Sequence, residues 1–104
     1  PSIMSHVSIG VSDMDRSARF YDAVLAPFGA RRILDLGPHG IAYGRVFPEF
    51  WISRPLDGGV PSAGNGTHFA FLGRGREEVD AFWAAGLANG GSGDGEPGIR
   101  ADYG

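Results

Sequence analysis

The feature that most constrains the fold is a partial internal repeat with an offset of 62 residues. Shifting the sequence by this offset superimposes chemically matched residues, in the pairs His6/His68, Phe20/Phe82, Tyr21/Trp83 and Leu25/Leu87. Alanine and glycine matches arise easily by chance in a chain with 18 glycines, whereas paired histidines and aromatic residues do not. A unit that cannot bury its own apolar face must pack against its copy. The chain is therefore predicted to be a single domain, residues 1–104, built from two related units.

The first unit is predicted to contain a strand, a helix and three further strands. Polar and apolar residues alternate over 4–11, which is typical of a half-buried strand. Ser12 is expected to cap a helix that ends before Pro27. Turns rich in glycine and proline separate three further strands, expected at 30–34, 41–45 and 49–53. The predicted order over residues 1–55 is therefore βαβββ.

The second unit repeats the start of this pattern and then stops. After a loop rich in glycine and proline, an alternating strand is expected at 67–72 and a helix at 76–88. Two units of 62 residues need 124 residues, and the chain has 104. We therefore expect residues 67–104 to form a partial second unit that lacks one or two final strands. The intact mass of the expressed protein would test this expectation.

Charge and cysteine content exclude several classes of partner and chemistry. The net charge is −3, and no basic run is present that would favour nucleic acid or an anionic membrane surface. No apolar stretch approaches the roughly 20 residues of a membrane span. The N-terminus has no signal-peptide layout, so a cytoplasmic protein is expected. Disulfides and thiolate ligands are excluded because the chain has no cysteine.

Strand alternation places three metal-competent side chains on open faces. The apolar residues of each alternating strand are expected to face a helix, so the polar residues between them face away. This argument places His6, Glu49 and His68 where two units that curl together would enclose them. Two imidazoles and a carboxylate suit Zn, Ni, Fe, Mn or Co and leave positions for water or substrate. One strand histidine is usually an ordinary polar residue, but two at equivalent positions predict a metal site.

Three further residues are candidates for contacting a substrate. Trp51 shares the parity of Glu49, so it is expected either to line the same cavity or simply to pack there. Tyr43 and Arg45 are candidates for binding an anionic substrate, with a surface position favoured for Arg45. His39 lies in a turn between proline and glycine and is expected to be solvated.

Residues 6–13, 19–29 and 67–71 resemble the first strand, the first helix and the start of the second module of vicinal-oxygen-chelate proteins, the glyoxalase/bleomycin-resistance/dioxygenase superfamily. The resemblance implies an α+β fold of paired βαβββ modules that form a half-open barrel around a divalent metal. It matches His6, Glu49 and His68 with ligands of the first strand, fourth strand and second module. The family's fourth ligand would fall at position 111, beyond Gly104.

The resemblance implies a metal-dependent lyase, isomerase or dioxygenase that acts on a small oxygenated substrate, with a homodimer as the expected assembly. An alternative is a non-catalytic protein of the bleomycin-resistance type, which binds a bulky drug in an aromatic groove without a metal set. A third alternative is a small assembly domain with a remnant site. Metal content per chain separates the first of these from the other two.

Overall fold

The computed structural model of the chain describes residues 3–93 and 95–98, and it contains one mixed sheet and two helices. The strands are β1 (Val7–Gly10), β2 (Arg31–Asp35), β3 (Ile41–Gly44) and β4 (Phe50–Ser53). The helices are α1 (Met14–Leu25) and α2 (Arg76–Ala88), with short 3-10 turns at Ala26–Phe28 and Gly37–His39. This arrangement confirms the predicted α+β class and the βαβββ order of the first unit. No helix in the described ranges is long and apolar enough to cross a membrane.

The sheet has the strand order β1-β4-β3-β2, so the first and last strands of the unit are neighbours. β1 pairs with β4 in parallel, with Val7 opposite Phe50 and Ile9 opposite Ile52. The pairs β3–β4 and β2–β3 are antiparallel, and the β2–β3 register shifts between Arg32 and Leu34. Because α1 connects β1 to β2, it crosses one face of the sheet and leaves the other face open.

Helix α1 begins one residue later than the sequence predicts. Asp13, rather than Ser12, is the N-cap, and its carboxylate accepts a hydrogen bond of 3.0 Å from the Arg16 amide. A carboxylate at this position satisfies a free amide and also interacts favourably with the helix dipole. The helix ends before Pro27 as expected, and Gly29 closes the following turn at φ 75°, a backbone conformation that favours glycine.

The core lies between α1 and the covered face of the sheet. Val24, Ile52 and Tyr43 are at most 1% exposed, and the Tyr21 ring packs 4.9 Å from the ring of Phe50. The buried core residues are Val11, Ala18, Val24, Leu25, Phe28, Ile41, Ala42, Tyr43, Phe50 and Ile52. All of them belong to the first unit or its turns, so this unit supplies most of the hydrophobic stabilisation.

A polar network joins α1 to β2 and β3 at the edge of this core. Arg32 donates two hydrogen bonds to Asp22, at 2.9 and 2.8 Å, and one of 2.9 Å to Asp35. The buried Tyr43 hydroxyl lies 2.9 Å from an Asp22 oxygen and 3.1 Å from the Ala18 carbonyl oxygen. The Arg32 hydrogen bond holds the pKa of Asp22 below its ordinary value, and burial raises the pKa of Tyr43.

This network predicts an acid-dependent loss of stability. The folded state favours the Asp22 carboxylate, so its contribution is complete above the ordinary pKa of 3.8 and is lost as pH falls through the lower folded pKa. We expect the urea midpoint of the wild-type chain to fall more steeply below about pH 4 than that of Asp22→Asn. Arg32→Gln should likewise make the urea midpoint fall less steeply over this pH range. If the midpoints of all three proteins fall in parallel, the bond between Asp22 and Arg32 is not the source of the acid dependence.

The second unit differs from the sequence prediction in its strand. Helix α2 spans the expected residues, but 67–72 is not part of a strand. Alternation indicates that a segment suits a sheet, yet a strand also needs a hydrogen-bonded neighbour, and no described residue pairs with this segment in a ladder. Predictions for 99–104 lie outside the described residues.

Candidate functional site

His6 and Glu49 lie side by side at one end of the sheet. The Val7 amide donates a hydrogen bond of 2.9 Å to the Glu49 carbonyl, and Val7 pairs with Phe50 in the parallel ladder. The residues just before this pair, His6 and Glu49, are therefore adjacent on neighbouring strands. Both side chains are exposed. The backbone thus fixes the spacing between two of the three predicted ligands.

The predicted division of the sheet into two faces agrees with the burial of β4. Phe50 and Ile52 are buried toward α1, while Trp51 is half-buried on the other face. The Trp51 ring lies edge-on to His6, with centroids 6.5 Å apart. It also lies against Gly40, where an added Cβ would come within 3.0 Å of the indole ring. Trp51 is therefore an aromatic surface next to His6 on the open face.

The segment 67–72, here called the His68 segment, is held near this end of the sheet by aromatic contacts. The rings of Phe69 and Phe71 lie 6.5 and 5.1 Å from the ring of Phe50, and Phe71 also contacts Phe82 of α2 at 6.2 Å. These contacts bring His68 to an open cavity of about 680 Å³ that His6 and Glu49 also line. Residues separated by 62 positions in the sequence therefore share one cavity.

The donor types around this cavity fit a divalent metal ion. Two imidazoles and a carboxylate form a competent set with open coordination positions. The Ser5 hydroxyl lies 3.0 Å from His6 Nδ1, a contact of the kind that orients the ring of a ligating histidine. In the described part of the chain, however, no three His, Asp or Glu side chains are close enough together to hold one ion. All three predicted ligands have exposed side chains, so rotamer changes are sterically open to them.

The two other predicted substrate residues have partners within the protein. Tyr43 is 1% exposed, and its hydroxyl is bonded to Ala18 and Asp22, so the phenol faces the core although the ring borders the cavity. Arg45 also lines the cavity, and its guanidinium donates hydrogen bonds to two backbone carbonyls, those of Phe28 and Leu72. A substrate anion would have to compete with these contacts.

A second cavity, of about 420 Å³, lies at the start of α1 and was not predicted from the sequence. Its walls come from Ser12 and Arg16, from the loop at Pro61, and from Asn89 and the glycines after α2. These three segments are far apart in the sequence, and each one alone reads as an ordinary turn or cap. No local motif could have indicated the cavity.

The comparisons with known proteins agree with the fold. The chain matches the model of the Glyoxalase/Bleomycin resistance protein/Dioxygenase superfamily over residues 3–102. It is similar to the crystal structure of a glyoxalase/bleomycin resistance protein from Albidiferax ferrireducens T118, with a TM-score of 0.83 and 37% sequence identity. The similarity covers 92% of this chain and 77% of that chain. No curated protein matches the chain.

Proposed function

Since the chain belongs to the glyoxalase/bleomycin resistance protein/dioxygenase superfamily, we propose that it is a metal-dependent enzyme acting on a small oxygenated substrate. The proposed ligands are His6, Glu49 and His68. The observation that carries the proposal is the parallel pairing of β1 with β4, which sets His6 beside Glu49 at a cavity that His68 also lines. Among the described residues, neither His6 nor Glu49 forms an ion pair that would explain an imidazole beside a carboxylate at this end of the sheet.

A bound divalent ion would supply Lewis-acid stabilisation of an oxyanion on the substrate. The residues of the chain have separate tasks. His6 and His68 would each offer a ring-nitrogen lone pair to the ion. Glu49 contributes negative charge, and Trp51 packs edge-on beside the His6 ring, outside the lining of the cavity. The reaction class remains within lyase, isomerase and dioxygenase chemistry, and Zn, Ni, Fe, Mn and Co all accept the donor set.

Two further properties belong to this proposal. The chain is proposed to act as a homodimer, because β1 is an edge strand that pairs with β4 alone among the described strands, and edge strands favour pairing with another chain. It is proposed to be cytoplasmic, in keeping with a sequence that contains no cysteine.

The test of the proposal is metal content per chain, measured by plasma mass spectrometry on freshly purified protein. We expect close to one divalent ion per wild-type chain. His68→Ala and Glu49→Ala should each weaken binding by about 100-fold or more, because each removes one of three protein ligands. His39→Ala is the matched control, since His39 is exposed in a turn outside the cavity lining. Wild-type protein that takes up no Zn, Ni or Fe(II) would refute the proposal.

The second candidate function is non-catalytic binding of a bulky drug. It is favoured by the open cavity, its phenylalanine-rich wall, and the absence of a closed three-ligand group among the described residues. In this case metal-free protein would bind bleomycin, and Glu49→Ala would leave that binding unchanged. Bleomycin binding without metal uptake would favour this function over the first.

A further inference from the structure

Arg45 links two parts of the chain that are distant in sequence. It follows β3, and its guanidinium donates one hydrogen bond to the Phe28 carbonyl at the end of the first 3-10 turn. A second hydrogen bond, of 2.9 Å, goes to the carbonyl of Leu72 at the end of the His68 segment. Since a guanidinium is planar and rigid, two bonds in different directions fix both carbonyls relative to β3.

The residues after Leu72 are packed against the same corner of the first unit. A Cβ at Gly73 would come within 3.2 Å of the Phe28 ring and 3.1 Å of Val79, so the backbone there lies close against both. Arg74 extends over Gly29, with its guanidinium 3.2 Å from the position of a Cβ there. Its amide and side chain both bond to Glu78, which anchors the start of α2.

The positive charges of Arg74 and Arg45 both act on Glu78 at this corner. The bond from the Arg74 amide lowers the pKa of Glu78, and the positive charge of Arg45 acts in the same direction. In the described part of the chain no carboxylate forms an ion pair with Arg45, whose bonds go to carbonyl oxygens. The hydrogen bonds of the Arg45 guanidinium are therefore with backbone carbonyls, and one of these, Leu72, belongs to the His68 segment.

We propose that Arg45 is a positioning residue that fixes the His68 segment against the first unit and so sets the distance from His68 to His6 and Glu49. The inference rests on the proposed function, because it concerns the same three side chains. It replaces the prediction that Arg45 binds an anionic substrate with a role inside the protein. The first unit fixes the backbone spacing of His6 and Glu49, and Arg45 holds the backbone of the His68 segment beside them.

The test compares Arg45→Gln and Arg45→Lys with a control, Arg74→Gln, which removes a neighbouring arginine whose side chain bonds to Glu78 and not to the His68 segment among the described residues. The first readout needs no metal. Nuclear Overhauser contacts between the rings of Phe71 and Phe50, whose centroids lie 5.1 Å apart, report the position of the His68 segment. We expect these contacts to be lost in Arg45→Gln, weakened in Arg45→Lys and kept in Arg74→Gln. Unchanged signals from Ile52 would show that the sheet is intact.

The second readout is the affinity for Zn²⁺ alone. Arg45→Gln should weaken binding about tenfold, in the range typical of residues that orient ligands. In a His68→Ala background the same change should have almost no effect, because a residue that acts through His68 is non-additive with it. A merely structural role would weaken Zn²⁺ binding equally in both backgrounds.

The outcomes separate the inference from the proposed function. Ring contacts that persist in Arg45→Gln would overturn the inference, as would additive effects on Zn²⁺ affinity. If wild-type protein binds no Zn²⁺, the proposed function fails, while the ring contacts still decide whether Arg45 holds the segment. If Arg45→Gln does not fold, Arg45→Lys supplies the same comparison, since lysine keeps the charge and can reach one carbonyl.

Discussion

Replacing Gly44 with alanine should destabilise the protein by about 3 kcal/mol, near the upper end of the usual cost of overpacking. Gly44 is the last residue of β3, and a Cβ added there would overlap the carbonyl oxygen of Phe47. The backbone cannot easily move away. The Glu49 amide donates a hydrogen bond of 2.9 Å to the Tyr43 carbonyl, and the Glu49 carbonyl accepts one of 2.9 Å from Val7. Relieving the overlap would break one of these bonds and displace Glu49. The free energy of unfolding, measured in urea, and the affinity for Zn²⁺ should therefore both fall.

Gly86→Ala is the control for this prediction and should have the opposite sign. Gly86 lies inside α2, and its added Cβ would rest 3.8 Å from Val24, an ordinary contact. Alanine is the better helix former, so a gain of about 0.5–1 kcal/mol is expected. A Gly44→Ala protein as stable as Gly86→Ala would show that the turn between β3 and β4 relaxes freely.

Phe28→Ala is expected to cost about 3–5 kcal/mol, the range for removing a buried aromatic side chain. Phe28 is 5% exposed and stacks on Phe82 of α2 with ring centroids 5.3 Å apart. Its ring also contacts the backbone at Gly73. The substitution would leave a cavity where the two units meet, so α2 and the His68 segment should loosen together. Urea unfolding followed by circular dichroism measures the loss.

The control is Phe47→Ala, because Phe47 is 54% exposed and a surface change of this kind usually stays within about 0.5 kcal/mol. A small domain has only about 5–15 kcal/mol of stability, so Phe28→Ala could unfold the chain. Phe28→Leu then provides a folded variant with a smaller expected loss, below about 1.5 kcal/mol. Equal losses in Phe28→Ala and Phe47→Ala would contradict the role assigned to the buried ring.

Strand alternation was the most informative part of the sequence. In β4 the apolar residues Phe50 and Ile52 are buried toward α1, and Trp51 faces the other way, as their parity predicts. The family resemblance is confirmed by the match over residues 3–102 and by the similar crystal structure. Parity placed His6 and Glu49 on one face, whereas their adjacency depends on which strands pair. Strand pairing is a property of the chain topology that no single segment encodes.

The contacts of Tyr43 and Arg45 show why the sequence was less informative elsewhere. All four residues of β3 are buried, so its pattern does not distinguish the two faces of the sheet. The partner of the Tyr43 hydroxyl, Asp22, lies 21 residues earlier on α1. Arg45 bonds to backbone carbonyls, which every residue possesses and which no side-chain pattern can reveal. The His68 segment alternates like a strand, but only the structure shows that it has no ladder partner among the described residues.

The parallel pairing of β1 with β4 also has a consequence for the order of folding. The strands β2, β3 and β4 are joined by short turns and can associate locally, whereas Val7 and its partner Phe50 are 43 residues apart. Closing so long a loop has a large entropic cost, so we expect this pairing to form late. His6 then meets Glu49 only when the sheet is complete. A ligand that needs both side chains would therefore bind fully folded chains and would not bind chains in which this pairing has yet to form.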